Sequence, residues 1–228
     1  MYYSKILSGG YTLKKIIPIL LIIIGIVFLL TPFIMEQIVK YYNSAIMDKD
    51  ILKEPIGTDA DQIEGEFDFS AITDVDIWSL IKGSKNFDKN LIIGTILIPD
   101  LDIHLPIMKG LTNSNLMVGA ATMKPDQSFG LGNYTLAGHY MKNKDLLFGS
   151  LMDIEIGNKV YVSNGKKIYE YEIYDTVIVP DTAMELLSDE RADERGKPII
   201  SLMTCYHSSK TGKRFFALGE LIDEHHID

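Results

Sequence analysis

Residues 69–228 predict an all-β domain of about eight strands, and three observations carry that prediction. From Ile92 onward the chain is a succession of short β-branched and aromatic runs separated by turn-forming residues. The stretch Lys167–Val179 (KIYEYEIYDTVIV) alternates Tyr and Ile with Glu and Asp at a period of two, the pattern of a strand with one face in and one face out. Just before it, Asn164-Gly165 offers two positions that tolerate positive φ, as a two-residue hairpin turn requires. Many short strands with few helical decorations suit a closed barrel or a sandwich. Periodicity alone does not choose between them.

Taken in order, Ile92–Pro99 and Ile103–Met108 read as strands parted by the turn Asp100-Leu101-Asp102. Gly132–Ala137, Lys159–Ser163, Lys167–Val179, Ile199–Cys205 and Arg214–Ile222 follow as further strands. Short helices are predicted at Thr73–Ile81, Asn113–Val118 and Leu146–Met152, with a helical turn inside a loop at Asp181–Asp193. About 160 residues suffice for one domain with a sizeable core.

The N-terminal part has a different character. Ile16–Ile34 (IIPILLIIIGIVFLLTPFI) holds no charge, and at ~1.5 Å per residue a helix of that length comes close to a ~30 Å hydrocarbon core. A cleaved signal peptide would have a shorter apolar core and a small-x-small cleavage site, whereas this run ends in Thr31-Pro32-Phe33-Ile34-Met35. Lys5, Lys14 and Lys15 precede the run, and that bias orients the N-terminus to the cytoplasm. The expected organisation is therefore a cytoplasmic N-terminus at 1–15, a transmembrane anchor at 16–35 and an acidic stalk at 36–68. A folded domain outside the cell follows at 69–228. Residues 1–47 carry a net charge of +3 and residues 48–228 carry −12. An acidic domain without a basic stripe excludes nucleic acid as a partner.

That placement makes Cys205, the only cysteine, informative. A thiol outside the cell usually pairs in a disulfide, and this one has no partner in its own chain. One reading is a small buried hydrophobe. Another is a nucleophile, since Cys205 ends one strand, His139 follows another and Arg214 begins a third. Acyl transfer through a thioester needs such parts: a thiolate to attack, an imidazole to move the proton and a fixed cation to stabilise the oxyanion. A lone histidine after a strand, or an arginine starting one, is also common on ordinary surfaces.

The motifs around these residues resemble those of class A sortases, membrane-anchored cysteine transpeptidases of Gram-positive cell walls. Family members carry Thr-Leu-x-Thr-Cys where this chain has Ser201-Leu202-Met203-Thr204-Cys205. The segment Asn133-Tyr134-Thr135-Leu136-Ala137-Gly138-His139 is similar to the family's histidine segment, and Lys213-Arg214-Phe215-Phe216-Ala217 to its arginine strand. Ser201 departs from the pattern but keeps a hydroxyl. The resemblance implies an eight-stranded sortase-type β-barrel, with Cys205, His139 and Arg214 catalytic. It also implies cleavage of a Leu-Pro-x-Thr-Gly sorting signal between Thr and Gly on secreted proteins. The acyl group would pass through a Cys205 thioester to an amino group of the peptidoglycan precursor lipid II.

By the same resemblance, Ala137 and Thr204 line the peptide groove; Leu116, Met203 and Val179 are candidates for an apolar wall against the Leu-Pro portion, and these three read equally well as plain core. Pro180–Lys197 matches the loop that shapes specificity in sortases; its charges describe a mobile, solvated segment. Some class A sortases bind calcium before the histidine strand. Here Ala121–Gln127 offers one carboxylate, Asp126, and a lysine, so neither calcium nor another cofactor is expected. His207 falls in the loop beyond Cys205, and His225 and His226 in a disordered acidic tail. Two alternatives stay open: a pilin-polymerising class C sortase, which usually has a lid and a second anchor, and a membrane-tethered binding module with a structural cysteine. Hydrolysis in place of transfer is a further possibility for the same thioester.

Overall fold

The computed structural model describes residues 9–47, 64–72 and 88–227. Its eight strands are β1 (Ile92–Ile98), β2 (Ile103–Met108), β3 (Ala120–Thr122), β4 (Asn133–Ala137), β5 (Lys159–Ser163), β6 (Lys167–Pro180), β7 (Ile199–Cys205) and β8 (Lys213–His226). They close into one barrel in the order β1-β2-β3-β4-β7-β8-β6-β5. Closure leaves no sheet edge, which settles the barrel against the sandwich.

Local chemistry shapes the connections. Between β1 and β2 a 3-10 turn over Pro99–Leu101 ends on Asp102 in the left-handed region at φ 52. Between β5 and β6, Gly165 takes φ 81, and the Asn164 side-chain oxygen accepts from the backbone N–H groups of Lys166 and Lys167. After β2, Thr112 caps the helix α2 (Asn113–Val118), its hydroxyl accepting from Asn115 N at 3.2 Å. That helix returns the chain so that β3 runs parallel to β2. Alternate side chains of the strands fill the barrel: Ile96, Ile107, Leu136, Val160, Val162, Tyr171, Ile200 and Leu202 are fully buried. Each such burial is worth about 1.5–3 kcal/mol relative to exposure.

The strand β3 has no counterpart in the sequence reading. Its three residues, Ala-Ala-Thr, are too short and too weakly β-prone to register. Asn113–Val118 forms as predicted, while Leu146–Met152 is a series of turns ending in a 3-10 turn at Leu151–Asp153. The predicted helix at Thr73–Ile81 and most of the stalk lie outside the described residues. One expectation needs correction. His225 and His226 are not a disordered tail, because β6 begins at Lys167 and gives β8 a partner as far as His226. The helical turn expected within Asp181–Asp193 is a 3-10 turn at Met184–Leu187 followed by the helix α3 (Glu190–Arg195), closed by Gly196 at φ 70.

The chain before the barrel forms a unit of its own. It is the helix α1 (Gly9–Met47), whose apolar side chains between Ile16 and Ile34 are exposed where described. Among the described residues, no helical stretch is long and apolar enough to cross a membrane.

Candidate active site

Strand pairing brings the three predicted residues together. Strands β4 and β7 run parallel with Ala137 opposite Met203, and Gly138 N donates to Met203 O at 3.0 Å. Extending both strands by two residues carries His139 alongside Cys205. On the other side of β7, Cys205 stands opposite Arg214 of β8. The thiol is thus flanked by the imidazole's strand and the guanidinium's strand, although His139 and Cys205 are distant in sequence. Opposed side chains on neighbouring strands have Cβ atoms about 4.5–5.5 Å apart.

Two further features fix this corner. The Thr204 hydroxyl donates to Gly138 O at 2.9 Å, tying the residue before the cysteine to the residue before the histidine. Gly138 must be a glycine, since a Cβ there would run into the ring of Phe148. Phe148 N in turn donates to His139 O at 3.1 Å, which holds the loop beyond the histidine. Both Cys205 and His139 are only 2% exposed, so the two side chains sit beneath the surface.

Residues 201, 203 and 205 of β7 share a face with 214, 216 and 218 of β8, because side chains alternate along a strand. On that face Met203, Cys205, Phe216 and Leu218 pack with Leu116, Ala137, Leu186, Leu187 and Ile72. A groove opens beside Arg214, lined by Met203, Phe216, Met123, Leu187, Met184 and Ile72. The Arg214 guanidinium is 11% exposed; its Nη2 donates to Ile72 O at 3.4 Å and lies 3.8 Å from Asp181 Oδ2. Residues 64–72 reach this groove from α2's flank, where Phe67 bridges Leu111 and Leu111 N donates to Glu66 O.

Of the residues expected to bind substrate, Met203 lines the groove. Ala137 and Leu116 are buried beneath it, in the apolar cluster that holds Cys205. Val179, half-buried on β6 opposite Arg214, packs against the same cluster from its edge. Thr204 is fully buried, its hydroxyl engaged by Gly138. Sequence reasoning missed Met123, Met184, Leu187, Phe216 and Asp181. Only Phe216 had an available signal, two residues from Arg214 on the same strand face. His207 sits in the loop after β7 at φ 60, with its ring 4.4 Å from Tyr206 and 6.0 Å edge-on from Tyr140.

The segment over the groove is held by ion pairs at both ends. Lys124 Nζ lies 2.7 Å from Asp189 Oδ1, and Arg195 and Lys197 both reach Glu220, while Arg195 also stacks 3.5 Å over the ring of Tyr174. Burial works against the charge on Asp189, but the Lys124 ammonium and the Asn133 N–H outweigh it and hold the carboxyl below its ordinary value. Lys197, with Arg195, does the same for Glu220. A carboxyl depressed in the fold contributes stability above its unfolded pKa and loses it as pH falls through the folded value. Acid is therefore expected to loosen residues 181–197 before the barrel itself. Amide protection of α3, corrected for intrinsic exchange, should drop below the ordinary carboxylate range while that of β1 and β2 persists.

A barrel that sets a cysteine between the strands of a histidine and an arginine has the parts of a thiol acyl-transfer enzyme, and the relatives of this chain are enzymes of that class. The sortase domain family matches residues 96–222, and the chain belongs to that family. Sortase A of Listeria monocytogenes is 37% identical over 209 residues, covering 92% of this chain and 91% of the relative. Sortase A of Bacillus anthracis is 33% identical over 209 residues, covering 91% and 94%. The crystal structure of the Listeria enzyme superposes with a TM-score of 0.55 at 34% identity, covering 60% of this chain and 92% of that one. Sortase C-3 of Streptococcus pneumoniae, 24% identical over 84% of this chain and 85% of its own, shares the fold at a TM-score of 0.54. Within the family the chain is a class A sortase, a cysteine transpeptidase.

Proposed function

We propose that the protein cleaves a Leu-Pro-x-Thr-Gly-type sorting signal between Thr and Gly and transfers the new acyl group to an amino group of lipid II. The observation that supports this best is the position of Cys205 between the ends of β4 and β8. In this reading the Cys205 thiolate attacks the Thr carbonyl carbon and Arg214 stabilises the resulting oxyanion. The C–N bond then breaks as His139 gives its proton to the departing glycine amine, leaving a thioester. An incoming amine attacks that thioester, His139 takes up its proton and the thiolate leaves. No step calls for a cofactor or a metal ion, because the thioester retains the energy of the broken peptide bond. The apolar groove of Met203, Phe216, Met123 and Leu187 suits the Leu-Pro portion of the signal.

The experiment that tests this asks whether the full chain in detergent joins a Leu-Pro-x-Thr-Gly peptide to an added amine. A product lacking the C-terminal glycine and carrying the amine supports the reading. Recovery of uncut peptide alone would overturn it. Arg214→Lys keeps the charge but loses the planar fork, and should lower kcat/KM on the order of 10². A fully active Arg214→Lys enzyme would reduce the arginine to a partner of Ile72 and Asp181.

We further propose, from the sequence of residues 16–35 rather than from the described helix, that this segment anchors the enzyme with its N-terminus in the cytoplasm and the barrel outside. The uncharged run Ile16–Ile34 and the lysines before it support this orientation. Anchoring raises local concentrations, since membrane-held substrates and a lipid-linked acceptor share the same surface. Protease added to protoplasts should digest the barrel; its full protection would reverse the topology.

A further inference from the structure

The segment between β6 and β7 roofs the groove, and one buried side chain holds it there. Asn133, the first residue of β4, is fully buried. Its Nδ2 donates to Leu186 O at 2.9 Å and to Ser188 O at 3.2 Å, both in the roofing segment. Its Oδ1 accepts from the hydroxyl of Ser201, also fully buried, at 2.8 Å. Its backbone N–H donates to Asp189 Oδ1 at 2.7 Å. Two carbonyls demand two donors and a hydroxyl needs an acceptor, so only a carboxamide satisfies this place. Between the two carbonyls that Asn133 grips lies Leu187, which lines the groove together with Met184. Leu186 and Leu187 are themselves buried in the cluster that contains Cys205 and Met203.

We propose that Asn133 is a positioning residue for substrate recognition, fastening the β6–β7 segment to the barrel so that Leu187 and Met184 stand as a preformed wall of the groove. This rests on the reading that the groove takes the apolar part of the sorting peptide. The clamp touches neither the thiol nor the imidazole. It acts on how much ordering the enzyme must still do when peptide arrives, because a wall already in place spares that entropy on binding. Ser201 keeps the carboxamide in its orientation from the nucleophile's own strand, four residues before Cys205.

Asn133→Asp keeps the shape but sets a carboxylate against two carbonyls, and a buried unmatched polar group is costly. In the full chain, KM for a Leu-Pro-x-Thr-Gly peptide should rise on the order of tenfold or more, while kcat and the rate of Cys205 alkylation by iodoacetamide stay within about twofold. Amide protection across residues 184–195 should fall, with that of β1 and β2 unchanged. Ser201→Thr, which retains the hydroxyl, should keep the wild-type KM, and Ser201→Ala should fall between. If Asn133→Asp does not fold, Asp189→Ala, on the surface, reads the same quantities with a smaller rise in KM. Unchanged protection of 184–195 together with an unchanged KM in the folded variants would overturn the clamp. A fall in kcat and in alkylation rate without a change in KM would also overturn it, because the residue would then serve the catalytic corner. If the wild-type chain joins no peptide to an amine, the functional reading fails. Loss of protection at 184–195 would then still establish the fastening, and its persistence would refute it.

Discussion

Cys205→Ala is expected to abolish both peptide cleavage and the covalent acyl intermediate. No second thiol exists in the chain, so no neighbour can substitute. The change removes little volume from a residue that is 2% exposed and packed among Met203, Phe216 and Leu218. Folding should survive it, at a cost of about 1 kcal/mol or less, on the scale of a deleted methyl group. Mass spectrometry of the protein incubated with sorting peptide should show the acyl adduct on the wild type and none on the variant. An adduct on Cys205→Ala would end the reading of this residue as nucleophile.

The second large effect is expected at His139. Replacing it with Ala leaves the thiol but removes the group that the proposed mechanism uses to protonate the departing amine. General acid–base catalysis contributes ~10²–10⁴ by itself, and the loss should be larger if the imidazole also maintains the thiolate. Three bonds that shape this corner, Gly138 N to Met203 O, Thr204 to Gly138 O and Phe148 N to His139 O, run through the backbone of the histidine loop and survive the loss of its side chain. The loss should therefore appear in kcat with the groove intact, and peptide affinity should stay near its wild-type value. A variant with unchanged kcat would assign the proton transfer elsewhere, and His207, in the loop after β7, would be the first place to look.

Much of the barrel was legible because strand patterns are local. The alternation of Lys167–Val179 and the Asn164-Gly165 turn lie within a few residues of one another, and both predict what forms. Ala120–Thr122 was not legible, since its strand character comes from β2 and β4 on either side. In the segment 180–197 the charges and a helical turn are legible, but the residues that turn inward are not. Leu186, Leu187 and Ala192 turn inward only against residues far away, and Asn133 meets them across more than 50 positions. The identities of the candidate catalytic residues were legible from motif, but their adjacency was not. Nothing in the spacing of His139 and Cys205 says that β4 and β7 are neighbours. The Arg214 contacts with Ile72 O and Asp181 were equally invisible, since both depend on how the chain before β1 and after β6 returns to the groove.

The parallel contact of β4 with β7 also sets a sequence of events in time. Antiparallel neighbours can zip up from a tight turn, but parallel ones must wait for a crossover. Between Ala137 and Ile199 lie both β5 and β6, which take places elsewhere in the barrel order. Long-range contacts of this kind form late, because closing the intervening chain must be compensated by contacts not yet made. Cys205 therefore meets His139 only when the barrel is nearly complete. In a newly made chain, the two remain separate, unremarkable side chains until then. Competence to react arrives as one of the last acts of folding, and a chain halted short of it carries a thiol without an enzyme.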